Sequence, residues 1–145
     1  MNTKRLLLTI VAVFVGLFAT DFLVHQIWLA ADYGASKELW RPEADMKKFF
    51  GFLVLGQLLI AITFVVIWSK GFPATSSFCG TCFYGLFMGL FGQATTLIWY
   101  AVQPLPGTIA VKWFIAGLAQ GVLMGAIAYL VGRPKPASPS GAATN

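Results

Sequence analysis

The stretch Phe49-Phe-Gly-Phe-Leu-Val-Leu-Gly-Gln-Leu-Leu-Ile-Ala-Ile-Thr-Phe-Val-Val-Ile-Trp68 carries no charge and a single amide, Gln57. At ~1.5 Å of rise per residue, a helix over it spans ~30 Å, the depth of a bilayer's hydrocarbon core. A helix apolar on every face needs lipid or a thick protein shell around it. This 145-residue chain has no material for such a shell, because three more stretches read the same way. The apolar runs cover residues 6–31, 47–69, 78–102 and 109–132.

Composition agrees: 58% of residues are hydrophobic, 10% are charged, and mean hydropathy is +0.77. The expected fold is all-α, an integral membrane four-helix bundle with up-down-up-down topology, forming one domain over residues 1–132. Residues 133–145, rich in Pro, Ser and Ala, have nothing to bury and are expected to be disordered. The chain opens like a secretory signal, but the apolar run is long and lacks a clean cleavage site, so an uncleaved first span is expected.

The net charge of +5 does not form a basic surface. Lys4, Arg5, Lys47, Lys48, Lys70, Lys112, Arg133 and Lys135 sit at span ends, which suits lipid headgroups and excludes nucleic acid as a partner. The expected partners are the lipid bilayer and either a larger membrane complex or further copies of the chain. Lys and Arg divide five against five between the two sides of the membrane, so the Lys4-Arg5 flank decides the orientation, with both termini cytoplasmic. Trp28, Trp99, Tyr100 and Trp113 are expected near the outer boundary, and Trp68 and Tyr129 near the inner one.

Gly71-Phe72-Pro73 and Gln103-Pro104-Leu105-Pro106-Gly107 break the chain between spans. The connection at 32–46 carries both charge signs. Its Trp40, Arg41 and Glu43 are candidates to cap the bundle mouth or dock a partner; the alternative is a solvated interfacial loop with a short helix. Gly117, Gly121 and Gly125 recur at four-residue steps in span four, and Gly85, Gly89 and Gly92 line span three. Small residues at such spacing let helix backbones approach closely where lipid offers no hydrophobic drive, so spans three and four are expected to pair.

Asp21 is the residue least at home in hydrocarbon. It lies ~22 Å along the helix from Leu6, with His25 ~6 Å further on. Four-residue spacing puts Asp21, His25 and Trp28 on one face. A charge at that depth costs at least ~2.5 kcal/mol, so Asp21 must face the bundle, be protonated or find a donor. An Asp–His pair suits proton relay or cation binding; a hydrogen bond that orients helix one is the plainer role. Gln57, Gln93 and Gln120 each fall within about one turn of the midplane of the other three spans. They are expected either to act as glue between helices or to share a small polar centre with Asp21.

Cys79-Gly80-Thr81-Cys82 opens span three, and cysteines at this spacing serve disulfide exchange or soft-metal binding. The motif resembles the active dithiol of membrane thiol oxidases that pass electrons to quinone, which are also four-helix bundles. This chain has only Cys79 and Cys82 where those enzymes carry a second pair. In size and helix count it also resembles small mercury-uptake membrane proteins, whose cysteines occupy more sites. No nucleotide loop, zincin helix or nucleophile elbow is present in the sequence, and no cofactor is expected.

The segment Asp21-Phe-Leu-Val-His25, with Leu39-Trp40-Arg41-Pro42 and Lys112-Trp113-Phe114, resembles a group of small bacterial membrane proteins without an assigned activity. That resemblance implies a four-helix fold and a bacterial inner-membrane address, and it carries no catalytic residues over. The expected function is a non-enzymatic accessory or small-ligand-binding bundle with a polar intramembrane centre. The alternatives are a small transporter or proton or cation relay through Asp21 and His25, and thiol-redox or soft-metal handling at Cys79 and Cys82.

Overall fold

Asn2 starts the first helix by accepting the Arg5 backbone N–H on its side-chain oxygen at 2.9 Å, the usual way to satisfy an orphan donor. In the computed structural model, which describes residues 1–71 and 77–133, α1 (Thr3–Phe22) runs on into a π-helical turn at Leu23–Trp28. A short α2 (Ala30–Ala35) and a 3₁₀ turn (Lys37–Leu39) follow, then α3 (Glu43–Gly71), α4 (Phe78–Val102) and α5 (Gly107–Gly132). The described residues contain no strand. Four helices are long and apolar enough to cross a membrane: Thr3–Trp28, α3, α4 and α5. The protein is an all-α, multi-pass membrane bundle.

The first span is not the single helix over 6–31 that its sequence suggests. Winding widens after Phe22, and the Leu29 N–H reaches back five residues to the Val24 carbonyl at 2.9 Å, after which the chain breaks at Leu29. A wider turn shifts the register of every later side chain. Trp28 consequently leaves the Asp21 face; it is 45% exposed, and its ring meets the Lys112 ammonium at 5.5 Å. α3 begins four residues earlier than expected, where the Pro42 carbonyl accepts the N–H groups of Asp45 and Met46. The expected break at Gly71-Phe72-Pro73 and the tail at 133–145 fall, beyond Gly71 and Arg133, outside the described residues.

α5 and α1 form the centre of the bundle, with α4 packed on α5 and α3 packed on α1. At one end Gly132 of α5 lies against the Trp68 ring of α3 and Thr9 of α1, and Phe78 meets Tyr129 edge-on at 5.5 Å. Both chain ends of the helical bundle therefore share one side. Trp68 is buried at this end of the bundle, where Gly132 leaves room for its ring. Val13, Ala61, Phe64, Val65 and Ala128 complete a dry core in this half.

α4 and α5 approach backbone to backbone. A methyl group on Gly85 would overlap the Gly121 carbonyl, and one on Gly125 the Thr81 carbonyl; on Gly89 it would sit 2.8 Å from the Gly117 oxygen. Gly92 does not belong to this seam: a methyl there meets nothing within 4 Å. The next step of the seam after Gly89 is Gln93, whose side chain lies over Gly117. α3 and α4 touch chiefly where the Tyr84 hydroxyl donates to the Phe64 carbonyl at 2.7 Å. Beyond that level they diverge, leaving most of the first half of α3 and the second half of α4 exposed.

The seam predicts a contrast between two glycines. Gly121→Ala should lower the unfolding free energy by about 1–3 kcal/mol through overpacking. Gly92→Ala should be neutral or raise it by up to about 1 kcal/mol, since a helix-interior glycine is the poorer residue. Thermal unfolding in detergent micelles reads both; equal midpoints would contradict the packing.

Candidate functional site

Where α3 and α4 diverge, a cavity of about 550 Å³ opens between the four spans. Leu17, Phe64, Met88 and Met124 form its apolar walls, and Asp21, His25, Gln93 and Gln120 bring polarity to it. It lies between two apolar clusters: the dry core on one side, and Leu29, Leu105, Ile109 and Ala110 on the other.

Asp21 sits at the last turn of α1, just before the π turn. Its carboxylate accepts an amide N–H from Gln57 of α3 and another from Gln120 of α5, the latter at 2.5 Å. The Gln120 amide also donates to the Thr20 hydroxyl at 3.1 Å. Three helices thus meet at one carboxylate. Gln57 is 7% exposed, and its Oε1 has no hydrogen-bond partner among the described residues.

Gln93 stands in the cavity wall but does not join Asp21. Its carbonyl accepts the Thr96 hydroxyl at 2.6 Å, and its side chain lies over Gly117, which only a glycine permits. Gly92 and Gly117 also line the cavity. The Thr63 hydroxyl turns back to its own helix, at 2.8 Å from the Leu59 carbonyl.

His25 lines the same cavity, but its hydrogen bond runs outward: Nδ1 lies 2.5 Å from the Tyr33 hydroxyl in α2. Trp113 Nε1, which can only donate, gives its proton to the same hydroxyl at 2.7 Å. The Tyr33 hydroxyl is therefore shared between the Trp113 indole and the His25 ring. The His25 and Tyr33 rings are stacked 5° from parallel, and Trp40 packs edge-on to Tyr33 at 5.1 Å. Burial pushes the Tyr33 hydroxyl above its ordinary value; the Trp113 hydrogen bond opposes this, and the Asp21 and Asp32 charges add to it. Tyr33 therefore keeps its proton through neutral pH.

Beside this stack, Lys112 pairs with Asp32 at 2.6 Å, the two side chains 29% and 19% exposed. The segment from Leu29 to Trp40 thus closes one end of the bundle. Trp40 turns in, donating to Ser36 at 3.1 Å. Arg41 instead covers the Phe49 ring at 3.7 Å, and Glu43 reaches Lys47 at 4.0 Å with its side chain 88% exposed. The three loop residues flagged in the sequence therefore face different ways. Cys79 is exposed and Cys82 partly buried, both as free thiols. Neither lines the cavity.

Sequence reasoning missed Tyr33, Asp32, Lys112 and Thr20. The available signal was the pairing of two dipeptides: Asp32-Tyr33 just after span one matches Lys112-Trp113 at the start of span four, acid to base and hydroxyl to indole. No family model matches this chain, nor does any curated protein or solved structure.

Tyr33→Phe should lower stability by about 1–3 kcal/mol, because it strands His25 Nδ1 and Trp113 Nε1 together. Adding Trp113→Phe should then cost less than it does alone, since contacting residues couple. Unfolding midpoints in micelles for the four proteins of that cycle check it; strict additivity would contradict a shared hydroxyl.

Proposed function

We propose that this protein is a non-enzymatic binding bundle whose polar intramembrane centre at Asp21 holds a small ligand. The observation that carries this reading is the 550 Å³ cavity lined from all four spans with Asp21 in its wall. Small-molecule sites typically occupy about 300–1,000 Å³, mostly apolar with a few converging polar groups. The lining groups suit holding better than bond making. Asp21 is committed to two amides, His25 to Tyr33, and the Thr63 and Thr96 hydroxyls to partners on their own helix. A nucleophile would need a base within reach.

Relay of protons or cations through Asp21 and His25 is the second reading, supported by their place in one cavity. Against it, their hydrogen bonds run to separate networks, one to α3 and α5 and the other to α2. In proteoliposomes a relay would give a proton flux that Asp21→Asn abolishes; binding alone gives none.

The address in a bacterial inner membrane rests on the resemblance carried by Asp21-Phe-Leu-Val-His25 and Lys112-Trp113-Phe114. The Lys4-Arg5 flank supports cytoplasmic termini. With that orientation a membrane-impermeant maleimide leaves Cys79 unlabelled in intact cells and labels it after permeabilisation; labelling of intact cells reverses the topology.

Gly92→Leu tests the binding reading, since the new side chain enters open space in the cavity wall. Native mass spectrometry from mild detergent should show wild-type protein with a bound small molecule and the variant without it. Wild-type protein free of any adduct, and indistinguishable from the variant, would contradict ligand binding.

A further inference from the structure

We infer that the ligand is a lipophilic ammonium, an apolar body bearing a protonated amine, which reaches Asp21 from the lipid through the gap between α3 and α4. This rests on the binding reading above and names its ligand class and route.

Asp21 holds two amide donors, and its carboxylate has room for a further one. Gln120 spends its amide protons on Asp21 and Thr20, and Gln57 donates to Asp21. What Asp21 keeps is acceptor capacity, the remaining lone pairs of a carboxylate that stands in the cavity wall. An ammonium brings donors and the charge opposite to a carboxylate. An anion would meet like charge, and an alcohol would bring one proton and no charge. A bare metal cation would want several strong ligands; among the described residues no group of three His, Cys, Asp or Glu is present, and the cavity walls include Leu17, Phe64, Met88 and Met124. Those walls suit a hydrocarbon body, and the low dielectric around them strengthens the charge pairing.

The route follows from what is closed. Toward the end holding the chain termini, Val13, Ala61, Val65 and Ala128 are 0% exposed and leave no passage. Toward the other end, Val24, His25 and Trp113 wall the cavity, and Tyr33, Trp40 and the Lys112–Asp32 pair pack behind them. On the side between α3 and α4, the rim residues Ile60 and Phe91 are 50% and 79% exposed. In a bilayer that opening faces acyl chains. A molecule that partitions into lipid reaches it directly.

The test uses full-length protein in nanodiscs of zwitterionic lipid, with empty discs as baseline. Dodecylammonium, dodecanol and dodecanoate are titrated as probes of equal chain length. Dodecylammonium should bind saturably, at least ~10-fold more tightly than dodecanol, a ratio worth ~1.4 kcal/mol, with dodecanoate weakest. Asp21→Asn should bring the amine down to the level of the alcohol. If Asp21→Asn does not fold, Gly92→Leu keeps the carboxylate and fills the space: loss of amine binding supports the site, and retention places the amine elsewhere and overturns it. Saturable binding in which dodecanol or dodecanoate equals the amine overturns the ammonium class and leaves the binding reading standing. Absence of a saturable site for all three probes overturns both.

Discussion

One carboxylate governs this structure. In hydrocarbon no water is available to satisfy a polar group, so Asp21 must take its hydrogen bonds from protein. It takes them from amides on two other spans, Gln57 of α3 and Gln120 of α5. These bonds matter most where apolar packing is least: in the first half of α3 the side chains are largely exposed, and Gln57 is the buried one. Removing the acceptor would strand two amides and release that half of α3 from α1.

The rest of the bundle divides the work of association by depth. α4 and α5 are held by backbone contact through Gly85, Gly89, Gly121 and Gly125, which depends on dispersion and so works in lipid as well as in water. α1 and α3 are held by a packed core around Val13, Phe64 and Val65. The far end is closed by the Tyr33 hydroxyl, which joins α2 to α5 through Trp113 and to the π turn through His25. Between core and closure α3 and α4 stand apart, and the space left there is the cavity. The π turn follows Asp21 directly and carries His25 along the cavity edge; such turns recur where a helix must re-aim side chains.

Much of this architecture is legible in the chain. Span lengths follow from uninterrupted apolar runs, and the α4–α5 seam follows from glycines at four-residue steps. The limits of legibility are physical. Gly92 is small like Gly85 and Gly89, yet it faces open space, and the residue four steps after Gly89 that meets α5 is Gln93, over Gly117. Depth alone put Asp21 and the three glutamines together, whereas the structure joins Gln57 and Gln120 to Asp21 and gives Gln93 to Thr96. Helical spacing paired His25 with Asp21, but the widened turn and the folded-back segment after Leu29 give it Tyr33 instead.

The account is tested most directly by measuring how close the Asp21 side-chain carbon lies to the two amide nitrogens in a real bilayer. Solid-state NMR dipolar recoupling between ¹³C-labelled Asp21 and ¹⁵N-labelled Gln57 and Gln120 side chains, in lipid vesicles, reads this. The structure predicts strong coupling to both amides, each within hydrogen-bonding range, and weaker coupling to Gln93. Coupling to neither Gln57 nor Gln120 would contradict the claim that this carboxylate ties α1 to α3 and α5.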